Sequence, residues 1–433
     1  MLIGSVLAVL VIGGAAWFML SGSDSKQPTK KATASSGKTS SGSSKTKSGM
    51  SGKSTRSTTS AASGALKTTL TVGPGREFKT IAAALAYIKS NKSRYPATTR
   101  KAVVIIEVAG SEAFNESIEI DNSSEGYPSG ILIKSTNEFP FTLKPASGRP
   151  ALRLVSIEHL QIDNVEISAD GSDVAVELEG FLNRSSISNA KITGFKQTGI
   201  LGKGVAGLRQ DELVLDHIDF RPAVPGAVGI KLTSGKASTG RIDIQECRFF
   251  GPLSVGLLLD NGALGVNVRR TIFDRADIGI SFAGGPLEWR DVRIINCTFH
   301  EIPQVAINFA DMPIKGSSGL EFRRNLFAGL KGPELKIASG YDREAFTQTI
   351  STQRGSIDHN WTDNSQPANA DNGERDLISF DNQRVSAIEF FSTDRDAEDF
   401  LTPRRGTPYA SVGVRPGSDS DPFIGARPQP EPR

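Results

Sequence analysis

What most constrains this chain is an octad of the form apolar-x-apolar-x-x-small/apolar-x-large apolar that recurs about every 27 residues. Its clear copies are LQIDNVEI (160–167), SSISNAKI (185–192), LVLDHIDF (213–220), IDIQECRF (242–249), VNVRRTIF (266–273), VRIINCTF (292–299) and LEFRRNLF (320–327). The starts lie 25, 28, 29, 24, 26 and 28 residues apart, and degenerate copies begin near Ile131 and Gly355. Positions 1 and 3 alternate as a half-buried strand does, positions 4 and 5 break the alternation, and positions 6 and 8 resume it. A third apolar segment follows 13–16 residues after each start, as in GIKL (229–232), GLLL (256–259) and GISF (279–282). Three short strands per period, with no helical periodicity between them, predict one coil of a parallel β-solenoid, an all-β fold.

Stacking equivalent positions tests that reading. Position 8 runs Ile167, Ile192, Phe220, Phe249, Phe273, Phe299, Phe327, which predicts an inward aromatic ladder. Position 7 runs Glu166, Lys191, Asp219, Arg248, an alternation of sign suited to outward neighbours ~4.8 Å apart. The two cysteines, Cys247 and Cys297, share inward position 6 two coils apart, roughly 9–10 Å, so they are expected as buried free thiols.

The N-terminus differs in kind. Leu2 to Leu20 carry no charged side chain, and about nineteen helical residues just span a ~30 Å hydrocarbon core. Residues 1–20 are therefore expected as a single transmembrane helix that contacts the lipid bilayer, in preference to a cleaved signal peptide. Residues 21–68 are almost only Ser, Thr, Gly, Lys and Ala and cannot bury a core, so they read as a disordered basic linker. The β-helix is placed at 69–412 and a Pro/Gly-rich tail at 413–433. The lysines after the span favour a cytoplasmic domain by the positive-inside rule, but one methionine precedes it, and an upstream segment would reverse that orientation. We expect a single-pass membrane protein with an extracytoplasmic domain.

Ahead of the coils, LTVGPGREFKTIAAALAYIKSN (70–91) joins a short strand and a Gly-Pro-Gly turn to a helix with Ile81, Leu85 and Ile88 on one face, fit to cap an open solenoid. With VVIIEVAGSEAFNESIEI (103–120), it resembles the opening of pectinesterases in the pectin-lyase-like superfamily. DFLTPRRGTPYASVG (399–413) and DPFIGA (421–426) are similar to the closing segments of bacterial β-helix repeat proteins. The resemblance covers roughly residues 70 to 426 and implies a right-handed parallel β-helix. It stops short of an activity. The Gln-rich, Asp-Phe-Ile-Phe-Gly and Gly-Arg-Pro-Trp motifs of pectinesterases are not found, nor are the Asp pairs and Gly-His-Gly of polygalacturonases. Ser356-Ile357-Asp358-His359 is similar to a pectate-lyase stretch, but Leu215-Asp216-His217 repeats it at the same octad position and reads as a bend.

No catalytic constellation follows from the columns. The outward third-strand residues Glu177, Leu201, Lys231, Leu258, Ser281, Asn308 and Lys336 include no carboxylate pair, and Glu179 and Asp260 stand three coils apart. His217 and His359 are five coils apart, so no metal and no cofactor is expected, and Asp358 to Asp376 lacks calcium-loop spacing. A net charge of +3 points away from nucleic acid. One cluster remains: Arg269, Arg270, Arg293, Arg323 and Arg324 gather on one edge, beside Arg248 and Arg290. They can clamp an acidic polysaccharide, or pair locally with Asp274, Asp277, Glu288, Asp291 and Glu321. The expected function is non-catalytic binding of a glycan or cell-envelope polymer. The alternatives are a divergent polysaccharide lyase, esterase or hydrolase, and a structural or sensory domain of a larger membrane protein.

Overall fold

The computed structural model describes residues 66–96, 102–146, 148–206, 212–234, 239–284, 288–310, 318–338, 356–364, 383–385, 387–407 and 409. All belong to one compact unit spanning Gly64–Arg433. The strands stack in three parallel ladders, as the repeat requires. The first begins with Thr69–Val72, Val104–Val108 and Ile131–Ser135 and continues through octad positions 1–3 to Ser356–Asp358. The second carries positions 6–8, from Ala113–Phe114 to Gln383–Arg384. The third runs from Ile118–Asp121 to Leu335–Ile337. The fold is a parallel β-helix.

The registers are those of the octad alignment. Ile167 pairs with Ile192, Ile192 with Phe220, and so on in line to Phe327. The five phenylalanines form one buried stack, with centroids 4.7, 4.8, 4.9 and 5.1 Å apart. Each stacked pair adds about 0.5–1.5 kcal/mol beyond the area it buries. Cys247 and Cys297 are buried and unbridged. Position 5 is a bend in every coil from Asn164 onward: Asn164, Asn189, His217, Glu246, Arg270, Asn296, Arg324 and His359 all have φ between 49° and 58°. That left-handed conformation suits asparagine, and it accounts for His217 and His359 without invoking a site.

The helix Ile81–Ser90 closes the N-terminal end. Thr80 Oγ1 accepts from Ala83 N, and the Glu116 carboxylate accepts from Ile81 N and Ala82 N at 2.8 and 3.0 Å, so one orphan amide of the first turn is satisfied by the cap and two from 34–35 residues away. Ile81, Ala84, Leu85 and Ile88 are buried on the core.

The structure corrects one expectation. Among the described residues no helix is long and apolar enough to cross a membrane, so the single-pass membrane assignment, with its extracytoplasmic domain, is not supported. The α-helix among those residues has ten residues and covers the solenoid core. The segment Leu2–Leu20, the linker up to residue 65 and the tail 413–433 lie outside the described residues.

Candidate functional site

Arg269, Arg270, Arg293 and Arg323 stand on neighbouring coils, and each pairs with a carboxylate. Arg269 grips Asp243 through Nη2 and Nε at 2.5 and 3.2 Å and reaches Gln245 at 3.2 Å. Arg270 pairs with Glu246 at 2.9 Å. Arg293 and Arg323 share Glu321 at 3.3 and 2.9 Å. Arg248 is bidentate on Asp219, Arg290 meets Glu288, and Arg324 is buried. The partners are those of neighbouring positions and coils, because a ~4.8 Å rise puts an outward carboxylate within reach of a guanidinium above or below it. The third-stack column also brings together opposite charges: Arg153 stands between Glu119 and Glu177 and reaches Glu179, at 2.6, 3.6 and 3.3 Å. Burial lowers the Arg153 pKa, but its hydrogen bond to Glu119 and the three negative charges outweigh it and hold the guanidinium above its usual value. That is the reverse of what a proton-abstracting arginine needs.

The thiols are not nucleophiles. Burial pushes both up, Cys297 to about 12, and a thiolate is the reactive form.

A cleft of about 670 Å³ opens on the N-terminal part of the solenoid, within the ~300–1,000 Å³ range of ligand clefts. Three successive third-stack strands, Ile118–Asp121, Leu152–Val155 and Val174–Phe181, release their loops into it, opposite the turn that follows the capping helix. Tyr95 and Tyr127 are nearly buried walls, whereas Phe181 is 57% exposed. Lys89 Nζ lies 5.5 Å from the Tyr127 centroid. The loop is braced by Tyr127 N donating to Asn122 Oδ1 at 2.8 Å, and Asn183 Nδ2 donates to Glu158 at 2.9 Å. Ser129 Oγ, on the cleft wall, is buried without a hydrogen-bond partner. Two carboxylates, Glu125 and Glu158, line the same space from adjacent coils. The cleft thus sets an exposed aromatic ring beside amide and carboxylate side chains.

On the second stack, Asp274 and His300 are paired across adjacent coils. His300 Nδ1 stands 2.7 Å from Asp274 Oδ1, and Arg395 donates to Asp274 Oδ2 at 2.6 Å. Sequence reasoning missed both clusters. The cleft residues lie outside the octad, and the pairing of Asp274 with His300 becomes visible only if position 9 is stacked as positions 7 and 8 are.

No protein-family model matches the chain, and no curated protein matches it. Among solved structures, a pectate lyase is similar at 12% identity and a TM-score of 0.42, over 81% of this chain and 90% of that one. An alginate lyase from a Paenibacillus species aligns at 12% identity and TM-score 0.36, over 64% and 98%. A pectin methylesterase from Aspergillus niger aligns at 12% and 0.27, over 75% and 92%. These are likenesses of fold; the strand register itself carries the assignment of this chain as a parallel β-helix.

Proposed function

We propose that this β-helix binds a glycan or cell-envelope polymer without cleaving it, and that the N-terminal cleft is where it binds. The observation that carries the reading is the exposed ring of Phe181 beside a preformed cleft. A sugar ring stacks on such a face while its hydroxyls satisfy the polar groups around it. Arg269, Arg270, Arg293 and Arg323 enter this proposal as a wall of ion pairs, with acidic polymer as their ligand only if those pairs open, and Arg324 is buried. The test is a glycan-array screen of residues 68–433 with Phe181→Ala as control. A hit that survives Phe181→Ala unchanged places binding elsewhere.

A divergent hydrolase is the second reading, favoured by Glu125 and Glu158 lining one cleft, since glycoside hydrolysis uses a pair of carboxyl groups. Incubating any bound glycan with the protein separates the two. Product that vanishes in Glu158→Gln establishes the hydrolase, and an intact glycan after prolonged incubation establishes the binder.

A further inference from the structure

We propose that Asp274, His300 and Glu301 form a zinc site that the C-terminal loop keeps closed with Arg395. One ligand atom from each of the three lies within 4.8 Å of the others. The set is one imidazole nitrogen and two carboxylate oxygens. It suits Zn²⁺, which takes three protein ligands and keeps an open position, and it is too small for Ca²⁺, which wants six to eight oxygens.

Two of the three ligands are fixed by the sheet. Asp274 is 1% exposed and His300 7%, on neighbouring strands of one ladder, so their separation is fixed by strand pairing. A buried carboxylate needs positive charge nearby. Here two guanidinium groups supply it: Arg395 on Asp274 Oδ2 at 2.6 Å, and Arg275, which bonds to Glu301 and lies 3.9 Å from Asp274 Oδ1.

Arg395 arrives from 121 residues downstream, on a loop closed by its own backbone bonds. Phe391 N donates to Thr402 O and Arg404 N to Glu389 O, both at 2.9 Å. Phe400 and Leu401, fully buried, pack with Phe250 and Ile272. The loop therefore stays docked if the Arg395 side chain swings away. Zinc then takes its place on Asp274. Nδ1 of His300, which faces Asp274 Oδ1 at 2.7 Å, then turns its lone pair to the ion in the tautomer that carries the proton on Nε2.

Zn²⁺ titrated calorimetrically into the full chain tests this. Arg395→Gln should bind one Zn²⁺ about ten- to a hundredfold more tightly than the unmodified chain, the worth of one charge-assisted hydrogen bond. Adding His300→Ala to Arg395→Gln should abolish that binding. A second variant guards against misfolding: Glu301 is partly exposed, and Glu301→Gln in the Arg395→Gln chain should weaken zinc while leaving the thermal melt in place. Equal zinc affinity with and without Arg395, or binding that survives loss of His300 or Glu301, overturns the proposal.

Discussion

The rings of Phe249 and Phe273 lie 4.8 Å apart with 1° between their planes, although the two residues are 24 positions apart in sequence. That distance is the strand spacing itself, so the ladder reports the rise of the solenoid from inside the core. It also means that each ring is packed by the coil above and the coil below.

Phe273→Ala should therefore be costly. Deleting a buried phenylalanine destabilises by about 3–5 kcal/mol, and here the cavity cannot collapse without shifting two strand ladders. Urea denaturation should show the midpoint falling. A Phe273→Leu chain should recover more than half, because it restores most of the volume.

The position-5 bends predict an inverted preference. Asn189 sits at φ 50° with its Nδ2 donating to Asp163 at 2.8 Å. Asn189→Gly should cost little, since glycine adopts the left-handed region freely. Asn189→Val should cost about 1–2 kcal/mol although the site is exposed, because the β-branched side chain is strained there. Equal stability of the two variants would show that the bend is set by something other than local backbone preference.

These bends explain how much is legible in the chain. The period, the register, the Phe ladder and the two free thiols can be read because each is a property of the repeat, and stacking turns repeats into neighbours. The cleft is not legible. Tyr127 and Glu158 belong to loops and Phe181 ends the strand before a third, on three successive coils, and loops carry no period. Arg395 is invisible as a partner of Asp274 because its contact joins positions 121 residues apart, outside the repeat.

The thiols give a pH dependence with a definite sign. An unfolded cysteine ionises near pH ~8.5, while burial holds Cys297 neutral up to about 12. The unfolded state then loses its proton first, so stability is fully present below pH ~8.5 and falls as pH rises toward 12. The slope is about 1.4 kcal/mol per pH unit for each thiol. Urea midpoints measured between about pH 8 and 10.5 should drop, and the drop should be shallower for Cys297→Ala. Parallel slopes in the two chains would assign the loss to other groups.

In the cleft, Phe181→Ala should weaken glycan binding by about 1–3 kcal/mol, the range of an aromatic hot spot, without lowering the melting temperature, because the side chain is 57% exposed. Binding there should change little between roughly 50 and 500 mM salt for a neutral glycan, since stacking and hydrogen bonding to uncharged hydroxyls are not screened.

The arginine edge predicts the opposite salt behaviour if it binds anything. Arg269 and Arg293 are the more exposed of the five, their side chains 40% and 45% accessible, and each is already paired with a carboxylate. An acidic glycan must compete with Asp243 and Glu321 for those forks, and exposed pairs of this kind contribute only ~0–1 kcal/mol each, so exchanging one carboxylate for another gains little. The double variant Arg269→Ala/Arg293→Ala should therefore leave binding of any glycan hit within about twofold of the unmodified chain. Its stability should fall by no more than about 1–2 kcal/mol, most of it from leaving Asp243 and Glu321 short of a partner. An acidic glycan whose affinity drops tenfold in this variant, with a shallower dependence on salt, would move the binding site from the cleft to the edge.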